Sequence, residues 1–376
     1  MPHAECCRQQ SRTSRKRQTK TTDMKKLVIL IIATIFAACS SDSPTLFKPA
    51  SSGLPYEVLV VCDDAFWEAP AGRALFDVLD TDVPALPQSE RSFRISHTRP
   101  AGFTRLLKTF RNVIEVDIDK SMYTQTKFKF TRDEYATPQV VLKIQSPNAK
   151  DFQEYVSKHA QTIIDFFTTN EMNRELKIVK KDHNKQFLDS TKSKFDCELL
   201  IPSTIMGIKS GKDFLWASDI ANNNSSIMNF VIYSYPYTDE KNFTLEYFLH
   251  MRDSVMKANI PGGKEGQYMA TEHDYVSMKE MSFRERYIQE VRGLWAMEND
   301  MMGGPFVSHS VVDEINNRVI VVEAFLFAPN RKKGDLMRKL EASLYSLRLP
   351  ADKVIATSLH IPELVVEDTI STETVK

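Results

Sequence analysis

The sequence predicts an α+β protein, with antiparallel sheets covered by helices in two α/β sandwich-like domains. Three observations carry that expectation. Short apolar runs bounded by turn residues recur along the chain, as strands do. Apolar residues at helical spacing appear in a few separate stretches. The second half sets strand after strand with short turns between, the pattern of an antiparallel layer with helices on it. At 376 residues, and about 100–200 residues per domain, two domains are expected.

The elements follow in order. Glu57 to Cys62 (EVLVVC) is a buried strand. Pro70 opens a helix, where its missing N–H costs nothing, and Leu75, Phe76, Val78 and Leu79 give that helix its core face. Phe103 to Phe110 reads as a second short helix, and Asn112 to Ile118 and Gln139 to Gln145 as strands. Phe152, Tyr155, Val156, His159, Ile163, Phe166 and Phe167 recur at helical spacing and close the first domain, residues 53–176. A Lys-rich stretch from Lys177 to Lys194 includes a linking helix. The second domain, residues 177–350, has strands at Cys197–Ile201, Phe214–Ala217, Ser226–Tyr235, Met278–Gln289, Phe306–Asp313 and Arg318–Phe327. Asn316-Asn317 turns the last pair, because Asn tolerates positive φ. One helix carries Leu245, Phe248, Leu249, Val255 and Met256, another Leu336, Leu340, Leu344 and Leu347. Residues 351–376, rich in Ser, Thr and acids, read as a flexible tail.

The chain is 42% apolar and 26% charged, ordinary for a globular protein. Its 49 basic and 49 acidic side chains argue against nucleic acid as a partner, since that leaves a strongly basic face. The balance conceals a split: residues 1–38 hold eight basic and two acidic groups, leaving 41 and 47 on the remainder. Met24-Lys25-Lys26 precedes the apolar run Leu27–Ala38, too short for a spanning helix of about 20 residues. A basic segment, a short apolar run and small residues before a cleavage point make a secretory signal. Phe36-Ala37-Ala38-Cys39 resembles the lipobox of bacterial lipoproteins, with Phe36 in place of the usual Leu. The resemblance implies lipidation at Cys39. Residues 1–38 are thus expected to be a spurious extension plus a signal peptide, with Met24 the expected start, and residues 39–52 a Ser/Pro-containing tether. Cys62 and Cys197 are expected as buried free thiols, and no cysteine spacing suits zinc.

Residues with chemical potential are few. Asp63-Asp64 follow the first strand, where Asp commonly starts a turn but paired carboxylates can also serve as acid and base. Gly207 to Asp213 departs from a phosphate loop in spacing and in the residue after Lys212, so it reads as a turn between strands. His250, His273 and His309 are scattered. The run from Arg292 to Phe306 (RGLWAMENDMMGGPF) is the most distinctive. Trp, Arg, Asn and Met together suit a binding surface, with Arg292, Trp295, Asn299, Asp300, Gly303 and Gly304 its candidate members. The competing reading is a core Trp and Met cluster. No catalytic residue, metal ligand or cofactor is assigned.

Ser52–Val58, Leu86-Pro87-Gln88 with Leu107–Asn112, and the run from Arg292 make the body similar to an uncharacterised lipoprotein family of the Bacteroidota, a domain of unknown function. That resemblance implies an envelope location and no activity. The order of elements in the second domain is also similar to the PsbP/Mog1-like α/β/α sandwich. The resulting expectation is a lipid-anchored cell-envelope protein on the periplasmic face of the outer membrane, a non-catalytic binding or assembly module. Its partners would be the membrane through its lipid, and an envelope protein or small ligand. The alternative is a periplasmic hydrolase of glycan, peptide or ester, using Asp63, Asp64 or a histidine.

Overall fold

Two sheets organise the protein. The computed structural model describes residues 48–219, 226–284 and 286–355, and the chain from Pro49 onward forms one compact unit. Residues 1–47, with the expected signal segment and Cys39, and residues 356–376 lie outside the described residues. No helix among the described residues is long and apolar enough to cross a membrane. The fold is α+β.

The first sheet has the order β2-β1-β3-β5-β4, built from β1 (Glu57–Val61), β2 (Arg94–Thr98), β3 (Asn112–Ile118), β4 (Lys127–Arg132) and β5 (Val140–Ser146). It departs from the antiparallel expectation. β1 pairs in parallel with β2 and β3, and β3 with β5; only β4 is antiparallel. The cause is the connection. Helices α1 (Asp64–Glu68) and α2 (Pro70–Leu79) lie between β1 and β2, and a crossover of this length permits parallel return. Strands in such a sheet are buried on both faces, and β1 is: Val58, Val60 and Cys62 join the core under α2, while Leu59 and Val61 join a smaller core behind.

Helices α3 (Ala149–Lys158) and α4 (Ala160–Lys181) also cover the first face. The expected single helix is thus two, broken at His159, whose φ of −107° and ψ of 27° leave the helical region. The second face is covered by Phe103, Leu107, Phe110 and Tyr135 rather than a helix. The expected helix over Phe103–Phe110 is replaced by 3₁₀ turns at Pro100–Gly102 and Leu107–Thr109. Here the backbone bonds outward instead: Ser52 N–H donates to the Thr109 carbonyl (2.7 Å) and Arg111 N–H to the Ser52 carbonyl (2.9 Å).

The second sheet is antiparallel, in the order β6-β7-β8-β12-β11-β10-β9. Its strands are β6 (Gly207–Gly211), β7 (Phe214–Ser218), β8 (Ile227–Pro236), β9 (Met269–Phe283), β10 (Arg286–Met297), β11 (Gly303–Asp313) and β12 (Arg318–Phe327). Three expectations are corrected. Gly207–Gly211 is a strand, and the turn lies at Lys212-Asp213, with Asp213 at φ 48°. Met278–Gln289 is two strands around a turn at Arg284 (φ 55°). Cys197–Ile201 is buried but makes only a single bridge, Glu198 to Arg348. The Asn316-Asn317 turn is as expected, with Asn317 at φ 48°.

One face of this sheet lies under α5 (Lys185–Phe195) and α7 (Gly334–Leu344), with Phe187, Cys197, Phe230, Ile320 and Leu340 in its core. The other lies under α6 (Leu245–Asn259), with Tyr233, Phe248, Trp295 and Phe325. A last short helix, α8, spans Pro350–Ile355. Cys62 and Cys197 are free and buried in different cores.

The two sheets meet through α4 and α7, where Met172 and Leu176 touch Ala342 and Tyr345. Glu90 crosses from the first half to accept the Lys333 and Gly334 amides at 2.7 and 3.0 Å. It thereby satisfies donors that a helix start leaves unpaired. Arg338 lies 3.4 Å from the Tyr56 ring centroid and donates to the Ser92 carbonyl at 2.7 Å.

Candidate functional site

The β10–β11 hairpin carries every residue of the expected binding surface, and the alternation of strand side chains divides them. Arg292 faces α7; Trp295 faces the α6 side. The turn between the strands holds Asn299 at φ 57°. Asn299 and Asp300 are tied to the neighbouring loop: Gln267 donates to the Asn299 carbonyl (2.9 Å) and to Asp300 Oδ2 (3.0 Å). Trp295 is 2% exposed, donates its ring N–H to the Leu326 carbonyl (3.3 Å) and meets Phe325 edge-on. Gly304 has a steric reason: a Cβ there would fall on the Leu326 carbonyl oxygen, and one on Gly303 would press the Trp295 carbonyl.

Above this hairpin lies a groove of about 520 Å³, bounded by Leu86, Pro87, Tyr275, Trp295, Met301 and Met302. Its volume falls in the range of small-ligand sites. Glu272 and Asp300 stand in the same lining. Met301 is fully exposed and Tyr275 64% exposed. Trp295, Asp300, Gly303 and Gly304 belong to this groove; Arg292 and Asn299 do not line it.

Arg292 instead lies in a second cleft, of about 600 Å³, between the two sheets. Its guanidinium donates to Glu290 at 2.7 and 3.1 Å and to both oxygens of Glu341, one at 2.9 Å. Burial works against the Glu290 charge, yet Arg292 and His309 outweigh it and hold its carboxyl well below the ordinary carboxylate value. His309 Nε2 is 3.4 Å from Glu290, and its ring meets Tyr345 at 4.8 Å. Sequence reading missed Glu290 and Glu341. The signal was there in part: Glu290 and Arg292 stand two apart in an apolar strand, so share a face.

A third polar network runs through the α6 layer. Arg252 and Glu323, both fully buried, pair side-on at 2.9 and 2.7 Å. Arg252 also donates to Thr271 Oγ (2.7 Å), Thr271 donates to Asp253 (2.6 Å), and His273 pairs with Asp253 at 2.8 Å. Asp253, rather than the adjacent Asp274, is therefore the partner of His273. Asp63 precedes α1 without a side-chain capping bond, and Asp64 lies 3.5 Å from Arg99 and 3.9 Å from His97. The structure does not gather Asp63, Asp64, His250, His273 and His309 at one point: His309 sits under Tyr345, His273 on β9, and His250 on the exposed side of α6. No cluster of three or more metal-ligating side chains occurs among the described residues.

Two regions of the chain match known family models. Residues 51–180 match a family model described as a domain of unknown function, DUF8532. Residues 184–346 match another, DUF4837. Two adjacent regions of the chain thus each match a model of a domain of unknown function, and the descriptions name neither a lipid nor a lineage. No curated protein matches the chain. A solved structure, the human StarD13 (DLC2) lipid transfer and protein localization domain, is similar at 9% identity over 43% of this chain and 97% of its own, with a TM-score of 0.20. A likeness that low carries no argument.

Proposed function

We propose that this protein is a lipid-anchored component of a bacterial cell envelope, held by Cys39 on the periplasmic face of the outer membrane, whose body binds an envelope protein or small ligand without chemistry. The anchor rests on the Lys25-Lys26, Leu27–Ala38 and Cys39 sequence. Several acyl chains, at about 0.8 kcal/mol per buried CH₂, hold a soluble body firmly. The observation that carries the binding half is the groove beside Met301. A fully exposed methionine and a largely exposed tyrosine flank a rigid, Trp-backed floor, and adaptable Met beside fixed aromatic area suits recognition.

The test is capture of envelope partners by the C-terminally tagged lipidated protein, beside Cys39→Ala, Met301→Ala and Tyr275→Ala. Met301 and Tyr275 are the residues to change, because alanine at the doubly ion-paired Arg292 or the buried Trp295 would disturb the fold. A specific partner lost in the Met301 and Tyr275 variants supports the reading. A partner set indifferent to both, or a Cys39→Ala protein that still fractionates with membranes, would sink it.

A further inference from the structure

The described chain begins at Lys48 and immediately docks on the first sheet. Ser51 N–H donates to the Thr137 carbonyl (3.0 Å) and Ser52 N–H to the Thr109 carbonyl (2.7 Å). Two leucines stand beside that point. Leu106, one turn before Thr109, is 76% exposed, and Leu54, just past Ser52, is 56% exposed. The Leu54 turn is fixed: Gly53 takes φ +90° and Leu54 N–H donates to Glu57 Oε2 at 2.8 Å. Arg105 and Lys108 flank Leu106 and make no ion pair among the described residues. The Lys108 ammonium lies over the Tyr135 and Phe103 rings, at 4.9 and 5.6 Å. Glu57, beside Leu54, is already engaged by Leu54 N–H and Ser96.

Chain length makes this position consequential. Eight residues lie between Cys39 and Lys48, and an extended chain spans about 3.3–3.6 Å per residue, so the docking point stays within about 30 Å of the anchor. A body of this size has a radius of gyration of about 20 Å and is about 50 Å across. A chain this short keeps Leu54 and Leu106, which stand beside the docking point, within reach of a bilayer that holds Cys39.

We propose that Leu54 and Leu106, with Arg105 and Lys108, form a bilayer-contact face that inserts its leucines at the interface and takes anionic phospholipid headgroups. The inference rests on the lipid-anchor reading above. Apolar side chains at the headgroup boundary and cations against anionic lipid each add to such binding, and the acyl anchor makes even a modest face effective by raising its local concentration.

The test uses the full lipidated protein in phosphatidylglycerol-containing vesicles, spin-labelled through Leu106→Cys or, as a control on the second sheet, Ile315→Cys. Cys62 and Cys197 are buried and do not compete for label. The expected result is loss of collision with a water-soluble relaxant and gain of collision with oxygen at position 106 alone. The effect should weaken in Arg105→Gln/Lys108→Gln and in pure phosphatidylcholine. A label at 106 as water-exposed as one at 315, on protein still anchored, would overturn the contact face and leave the anchor standing. Protection at 106 that is unchanged between the two lipids would overturn the headgroup assignment. Mass spectrometry showing an unmodified Cys39 would overturn the anchor, and this proposal with it.

Discussion

Replacing Glu323 by Gln isolates one electrostatic term in the core. The carboxylate and the Arg252 guanidinium are both fully shielded from solvent and share two hydrogen bonds. Glutamine keeps the shape and one acceptor but leaves a buried cation without its counter-charge, a change that costs about 3–5 kcal/mol. Arg252 retains Thr271 and the face of Phe306, 3.9 Å from the ring centroid, so the lower end applies. With an unfolding entropy of about 2.1 cal/mol/K per residue and roughly 300 folded residues, 3 kcal/mol lowers Tm by about 5 °C. Thermal unfolding followed by circular dichroism reads this directly. The double variant Arg252→Met/Glu323→Leu removes both charges and should recover most of the loss, because well-packed apolar residues replace a buried pair at little cost. A Glu323→Gln shift below about 2 °C, or a double variant less stable than the single, would refute the reasoning.

Other outcomes follow from the same structure. Glu290 is ionised well below the usual carboxylate range in the folded state, so its stabilisation is complete above about pH 4.3 and drains away as pH falls below that; urea midpoints between pH 6 and pH 3 should show this loss, and Arg292→Met should flatten it. Gly304→Ala drives a Cβ into the Leu326 carbonyl and should cost about 1–3 kcal/mol or more, seen as a lower Tm and a red-shifted tryptophan emission. Glu90→Ala removes the acceptor for two α7 amides and should cost about 0.5–2 kcal/mol in chemical denaturation. The Cys62 thiol, pushed up to about 12 by burial and then by Asp63 and Asp64, should resist alkylation in native protein and react only after unfolding, as mapped by mass spectrometry.

Much of the second sheet was legible because its strands announce themselves. Arg318–Phe327 is a run rich in β-branched and aromatic residues that starts from a double-Asn turn, and the ladder has those bounds. β2 (RISHT) and β4 (KFKFTR) were not legible, since half-exposed strands carry polar residues that weaken the signal. The parallel pairing of β1 was hidden too, as it depends on where a connection returns rather than on the strand itself. At the candidate site, the sequence singled out the β10–β11 hairpin but treated its residues as one surface. Side-chain alternation sends Arg292 into an ionic cleft and Trp295 into the opposite core. The partners that decide this, Glu341 and Leu326, lie 49 and 31 residues away, beyond any local pattern.

The cap that Glu90 places on α7 bears on how such a protein can be divided. The two matched regions abut at residues 180 and 184, an inviting place to cut a gene. A fragment starting there would carry α7 with its Lys333 and Gly334 amides bare, its Arg338 stripped of the Tyr56 ring, and Ala342 and Tyr345 open to water where α4 had lain. The complementary fragment would keep a carboxylate with no amides to receive and an apolar α4 face with nothing on it. Separately expressed halves should therefore be sticky and poorly soluble alone, and should be rescued by co-expression, so that recombination preserves this body only when it carries both halves together.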